Sequence, residues 1–462
     1  VSALDGTRPE MPVADGELPP GFVSLRRSTA AVLAKLITDP LAVIPAESYD
    51  ERVVLTENLG RRRIYVSDPA LVHEALVRNA DRLVKSDEMK QVLGTALGEG
   101  LLTADGPMWR WQRQALAPAF QHERLLGLLP SMITAAEATR DHWLALPKGA
   151  RLNVGHEMMH TTFAIILETM LSGPQGIDAA EMESGVTRFL SATTWMFALA
   201  MLKAPLWVPF PGRGRAMKAT RFMRRSLRGR IAARRHAAPS NDLIGMLLSA
   251  VDPETGRTMT DEEITDNILT FIGAGHETTA VALSWTFALL ATNPNCAARV
   301  VAEVDRVTGS GPVTPAHIAE LVYTKQVINE TMRLYPPAPL IARTVETEFE
   351  LAGVPVPAGC TVFVPIFAIH RHRSLWTQPE RFDPDRFAPE AVRARHRFAF
   401  LPFGAGPRIC IGASFATMEA VAILAVLVKA LRLELEDSSL PEPNMAVTLR
   451  PRRPMRMRVV PR

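Results

Sequence analysis

The chain has 462 residues, 47% of them hydrophobic, enough to enclose a large core. Its 52 basic and 48 acidic residues leave a net charge of only +4, which argues against a nucleic-acid binder. Three cysteines, Cys296, Cys360 and Cys410, are too few for a secreted disulfide framework and cannot alone form a four-cysteine zinc or iron–sulfur site.

Residues 1–21 read as a proline-rich arm with no long apolar run, so neither a signal peptide nor a membrane anchor is expected there. Residues 22–462 read as one domain, mainly α with small β-sheets (α+β). Helical spacing predicts helices near 69–80, 107–119, 155–172, 261–292, 294–307, 315–335 and 412–432. Short strands are expected at 52–56 with 62–66, at 349–351 and 360–364, and as a C-terminal pair near 446–449 and 455–460. Residues 213–235 hold ten Arg or Lys and no acid. They read as the solvated face of a helix, with a membrane-surface helix as the alternative. Pro205, Pro209 and Pro211 before it predict a bent connection.

The best-defined element begins at Thr260. Thr260 and Glu263 predict a capping box, and Asn293-Pro294 stops the helix. His276, Glu277, Thr278 and Thr279 interrupt its apolar surface, so it is not a membrane span. Small Ala274 and Gly275 let a flat group approach the backbone. The Thr278 hydroxyl is expected to bond the carbonyl four residues back and locally open the helix. Glu277 is expected to be a carboxylate in apolar surroundings, suited to relaying protons.

Three further patterns carry chemistry. Phe403-Gly404-Ala405-Gly406-Pro407-Arg408-Ile409-Cys410-Ile411-Gly412 is a glycine-rich loop that runs into a helix. It sets Cys410 where free N–H groups favour a thiolate. Glu330 and Arg333, spaced i,i+3, share one helix face. His156-Glu157-Met158-Met159-His160 is a literal HExxH, the pattern of a zinc metalloprotease, although no third ligand stands out.

The decapeptide resembles the haem-binding loop of the cytochrome P450 family, FxxGxRxCxG, with every fixed position filled. Ala274-Gly275-His276-Glu277-Thr278-Thr279 is similar to that family's oxygen-activation segment, and Glu330–Arg333 to its ExxR motif. Arg386, in the FxPxRF frame Phe382–Phe387, looks like the third member of the ExxR network; the PERF string at 379–382 does not fit that frame. The resemblance runs from about residue 50 to the C-terminus.

It implies a triangular helical prism with haem b between the long central helix and the cysteine-loop helix, and Cys410 as axial ligand to iron. Trp109, Arg113, Arg343 and Arg408 would meet the haem propionates, with Phe403, Gly404 and Ala274 also lining the cofactor. Leu102, Ala338, Leu340 and Ile341 would wall the substrate pocket. The implied enzyme is a cytoplasmic, monomeric monooxygenase. With Thr278 and Glu277 supplying protons, it inserts one atom of dioxygen into a hydrophobic molecule: a fatty acid, terpene or steroid-like compound. Because no flavin or iron–sulfur domain follows the last strands, electrons are expected from a separate ferredoxin or flavodoxin and its NAD(P)H-dependent reductase. They would arrive over a basic surface that includes Arg110, Arg393, Arg395 and Arg397. A non-catalytic haem sensor or carrier is the other reading of a haem-thiolate loop.

Overall fold

The computed structural model describes residues 18–26, 28–58, 61–205, 207–236, 242–437 and 439–462. The arm expected over 1–21 therefore lies, as far as residue 17, outside the described residues.

Thirteen strands are described: β1 (Phe22–Arg26), β2 (Val53–Asn58), β3 (Arg61–Val66), β4 (Leu83–Lys85), β5 (Arg151–Asn153), β6 (Ile341–Val345), β7 (Phe349–Leu351), β8 (Val354–Val356), β9 (Thr361–Val364), β10 (Leu431–Leu435), β11 (Pro443–Met445), β12 (Leu449–Pro451) and β13 (Arg456–Pro461). The largest sheet runs β1-β2-β3-β9-β6-β4. Its β2–β3 hairpin sets Val53 opposite Val66 and Leu55 opposite Ile64, all four buried, so the register is fixed by one apolar face. The expected C-terminal pair is a misassignment. β13 pairs with β10 and β5, while β11 pairs with β12. The alternation that marks a strand says nothing about which distant strand completes its hydrogen bonds.

The helices in chain order are α1 (Thr29–Thr38), α2 (Pro69–His73), α3 (Asp87–Leu97), α4 (Gly106–Leu116), α5 (His122–Leu144), α6 (Val154–Leu171), α7 (Ala179–Met201), α8 (Arg213–Arg235), α9 (Leu243–Ser249), α10 (Asp261–Thr292), α11 (Pro294–Thr308), α12 (Val322–Leu334), α13 (Ile366–Ile369), α14 (Pro389–Ala394) and α15 (Ala413–Ala430). The helix expected over 315–335 is two elements, a 3-10 turn at Pro315–Glu320 and then α12. The Glu303 carboxylate accepts from the Tyr323 and Thr324 N–H groups at 2.7 and 2.8 Å. It thereby caps α12 from another helix, which the local sequence does not announce.

α10 spans 32 residues, and its capping box is formed, with Glu263 N–H donating to Thr260 Oγ1 and Thr260 N–H to Glu263. At 1.5 Å per residue it is about 48 Å long. It contacts α6, α8, α12 and α15 and is buried over most of its length. Trp285 stacks on Tyr335 of the segment after α12 at 3.9 Å, and its indole N–H donates to the Leu449 carbonyl at 2.9 Å. Among the described residues one helix, α15, is long and apolar enough to cross a membrane. It packs against α5, α10, α11 and α12, which makes it a core helix.

Candidate active site

The loop before α15 is shaped by two glycines. Gly404 and Gly406 both take φ of +73°, a region L side chains rarely adopt. A Cβ on Gly406 would overlap the Leu76 carbonyl oxygen. The turn closes by hydrogen bonds: Cys410 N–H donates to the Phe403 carbonyl at 3.0 Å, and Ile409 N–H to that of Gly406 at 3.1 Å. The Cys410 thiol is exposed by area, yet protein surrounds it closely enough to desolvate it. Burial pushes its pKa up, while the Gly412 amide and the Arg113 guanidinium oppose that shift. The amide and the guanidinium are the features that favour a thiolate once a cation is supplied.

α10 turns one accessible face inward. Phe271, Ala274, Gly275 and Thr278, at i, i+3, i+4 and i+7, are accessible, while His276, Glu277, Thr279 and Ala280 around them are buried. Phe120, which no sequence motif marks, links this face to the cysteine loop. It stacks on Phe271 at 5.4 Å, and its ring edge lies 3.8 Å from where a Gly412 Cβ would stand. The Thr278 hydroxyl donates to the Ala274 carbonyl at 2.7 Å. The expected local opening is absent, because α10 is continuous through this point. Back-bonding leaves the backbone ladder intact here.

Glu277 corrects another expectation. Its surroundings are not apolar. The buried carboxylate accepts from the Thr448 hydroxyl and the Arg450 guanidinium of β12, because a buried carboxylate requires a counter-charge. Beside it His276 is fully buried, edge-on to Phe163 at 5.3 Å. Burial, then the Arg450 charge, hold its pKa down to about 3, so the imidazole is neutral.

A cation cluster lies beside the cysteine loop. Arg408 pairs with Asp105 and donates to the Ala104 carbonyl at 2.9 Å. Its guanidinium also lies 4.3 Å from the Trp109 ring centroid. Lys90 reaches the same Asp105 at 2.7 Å. Burial, then Arg408, lower the Arg343 pKa to about 10. Burial, then Arg343 and Arg408, drive Lys85 well down. Arg113 makes no hydrogen bond or ion pair to any described side chain; burial lowers its pKa and Cys410 raises it. Several buried or half-buried cations thus share one carboxylate, a donor set that calls for further anionic oxygens. Together with the thiol at the mouth of α15 and the small-residue face of α10, it fits a flat group bearing carboxylates and a metal that accepts sulfur. Lys85, Lys90 and Asp105 escaped sequence reasoning; no motif marks them.

The pocket residues are dispersed over different packing units. Leu102 packs against the main core. Leu340 packs with Phe367, Ala368 and Met445. Ile341 meets the cysteine loop, 3.3 Å from a Gly404 Cβ, and Ala338 is exposed.

Glu330 and Arg333 are fully buried and joined by two contacts of 2.7 Å. Arg386 lies 3.5 Å from Glu330, and Asp383 N–H donates to Glu330 at 2.9 Å. Arg333 also donates to the His370, Pro379 and Arg381 carbonyls. This network pins α12 to the segment that precedes the cysteine loop. In the HExxH string, His156 and His160 are about three-quarters exposed. Glu157 accepts from the Trp143 indole at 2.9 Å, and His160 meets Glu183. Among the described residues no three-ligand metal cluster exists.

A helical fold with a cysteine loop facing a threonine-bearing central helix defines the site of a haem-thiolate protein. The family model described as Cytochrome P450 matches residues 47–458. The chain is 32% identical to cyclooctat-9-en-7-ol 5-monooxygenase of Streptomyces melanosporofaciens over 93% of this chain and 92% of that one. It is 30% identical to a cytokinin hydroxylase of Arabidopsis thaliana, covering 88% of this chain and 80% of the relative. The crystal structure of the cytochrome P450DA heme domain superposes with a TM-score of 0.80 at 28% identity, covering 94% of this chain and 93% of that one. The chain belongs to the cytochrome P450 family, and it is a monooxygenase whose cofactor is haem. That sets aside the zinc-protease and haem-carrier readings.

Proposed function

We propose that the enzyme hydroxylates or epoxidises a hydrophobic small molecule. The observation that carries this reading is the accessible face of α10, where Phe271, Ala274 and Gly275 offer apolar surface and Thr278 the hydroxyl. A fatty acid, terpene or steroid-like compound suits such a surface. One relative's named substrate, cyclooctat-9-en-7-ol, is a cyclic alkenol of that character.

Bound haem supplies the binding and reductive activation of dioxygen. Cys410 would hold the haem iron through its thiolate, with the Gly412 amide stabilising the sulfur's charge. Arg113, Trp109, Arg343 and Arg408 would hold the propionates, with Lys85 added to that set. Phe403, Gly404 and Ala274 leave room for the ring. Thr278 holds a proton at its Oγ, and Glu277, on exchanging its bond to Arg450 for one to water, takes up a proton from solvent and passes it to Thr278. Leu102, Ala338, Leu340 and Ile341 contribute apolar wall. Glu330, Arg333 and Arg386 hold the cysteine segment in place.

Electrons come from a separate ferredoxin or flavodoxin served by an NAD(P)H-dependent reductase. Arg110, Arg393 and Arg397 are exposed and suit an acidic partner. Arg395 leaves that set, since its guanidinium lies 4.6 Å from both the Trp376 and Phe387 ring centroids and donates to the Arg386 carbonyl. A cytoplasmic location fits three unpaired cysteines.

The test is the absorption spectrum of reduced protein with and without carbon monoxide. A strongly red-shifted Soret band that disappears in Cys410→Ser is expected. The same band in that variant would remove Cys410 from the iron.

A further inference from the structure

His370 is a buried titratable group with no part in the chemistry above. It follows the last residue of α13 and is fully buried. Its ring meets the segment that leads into the cysteine loop. The Leu401 N–H donates to its Nε2 at 2.8 Å, and its ring centroid lies 5.1 Å from that of Phe400. Because an N–H donor makes Nε2 the acceptor, the neutral imidazole carries its proton on Nδ1. That nitrogen lies 3.3 Å from the Met332 carbonyl of α12. One ring thus spans α12 and the Leu401 backbone, with both nitrogens used.

The charge state is held as firmly as the tautomer. Burial, then the Arg333 and Arg371 charges, push the His370 pKa down to about 3. A proton on Nε2 would set donor against donor, so the Leu401 bond requires the neutral ring. Arg333 therefore acts on His370 twice. Its guanidinium donates to the His370 carbonyl at 2.8 Å, and its charge helps to keep the ring neutral.

From Leu401 the hydrogen bonds continue into the loop. Its carbonyl accepts from Gly404 N–H at 3.0 Å, which closes a turn whose third residue, Phe403, accepts from Cys410 N–H at 3.0 Å. Residues 400–412 belong to no helix or strand, and Leu401 is buried. A side chain, not a backbone ladder, supplies this buried N–H with its partner.

We infer that His370 is a positioning residue for the cysteine loop: a neutral hydrogen-bond spacer that carries the rigidity of the Glu330–Arg333 network on α12 to Leu401, and so sets where Cys410 stands. The inference rests on the reading of Cys410 as the ligand of haem iron. Loss of the Nε2 acceptor leaves the Leu401 N–H without a partner, and the turn must shift to find one.

The test compares the haem-loaded parent with three variants. Glutamine places an acceptor oxygen where Nε2 stands, asparagine reaches only the Nδ1 position, and phenylalanine keeps a ring without either nitrogen. The readouts are the thermal midpoint and the carbon monoxide spectrum of reduced protein, in which thiolate ligation gives the strongly red-shifted Soret band and a neutral thiol a band at shorter wavelength. In His370→Phe and His370→Asn the ratio of the first band to the second should fall about threefold or more, the displacement of a two-state balance expected from one lost hydrogen bond. His370→Gln should regain most of the parent's ratio. If His370→Phe does not fold, the asparagine and glutamine variants decide the matter between them. Equal ratios in parent, His370→Asn and His370→Gln would overturn the proposal. So would variants that lose thermal stability in step and keep the parent's spectrum, which is the mark of packing alone. A parent protein without the red-shifted band would overturn the haem-thiolate reading, and this proposal with it.

Discussion

The carboxylate of Glu277 is held by the guanidinium of Arg450, 173 residues further along the chain. The central helix and the β11–β12 hairpin are thus joined at the residue that precedes Thr278, and the Thr448 hydroxyl completes the contact.

Arg450→Gln leaves a buried carboxylate without its cation. A loss of about 3–5 kcal/mol in unfolding free energy is expected, read by denaturant titration. The Glu277→Gln, Arg450→Gln double variant should recover a large part of it. Equal stability of the two variants would show that the pair contributes nothing.

Thr278→Ala removes the hydroxyl that bonds Ala274 and nothing from the helix ladder. Folding and the carbon monoxide spectrum should be unaffected. Product formed per NAD(P)H consumed should fall severalfold, with the missing electrons recovered as peroxide or water. An unchanged yield would take Thr278 out of proton delivery.

Gly406→Ala combines a positive φ with overlap on the Leu76 carbonyl. The backbone cannot yield cheaply on either side, so a cost of about 1–3 kcal/mol is expected. It falls on the loop that presents Cys410, and haem retained after gel filtration should drop before thermal stability does. Gly214→Ala, where a Cβ meets nothing, is the control.

Glu419 sets a pH dependence. It is fully buried on α15, and burial, opposed only by Thr279, raises its pKa from 4.5 to about 8. The folded state therefore holds a proton that the unfolded state releases. Stability from this group is present below about pH 4.5 and is lost as pH rises toward 8, by roughly 1.4 kcal/mol per unit at most. His276 acts in the opposite sense: held neutral with a pKa near 3, it costs stability as pH falls below 6.5. Urea titrations between pH 6.5 and 8 should show a falling trend that is flattened in Glu419→Gln. An equal slope in both proteins would assign the trend elsewhere.

The motifs were legible because their chemistry is local. A glycine-rich loop running into a helix can be read from ten residues, and the capping box at Thr260 from four. Helix existence was legible where apolar periodicity was strong, as in α11, or where a long apolar run or clear caps marked it, as in α6, α10 and α15. It was missed for α5 and α7, where Pro130 interrupts one and polar and apolar residues mix in the other. Of the expected C-terminal pair, 455–460 is a strand with other partners, since its pairing depends on hydrogen bonds to residues as distant as 151–153, while 446–449 falls mostly on the turn between β11 and β12.

The sequence by itself determined the helical class, the glycine-rich loop that carries Cys410, and the small-residue segment of α10, because turn chemistry, capping and periodicity act over a few residues. Only the tertiary structure decided that Glu277 is neutralised by Arg450, that Asp105 is shared among Lys90, Arg408 and their neighbours, and that α8 turns Arg221 toward an apolar cavity. Those are balances of charge and burial between segments far apart in the chain, and electrostatic energy depends on distance in space and on the water excluded between the groups.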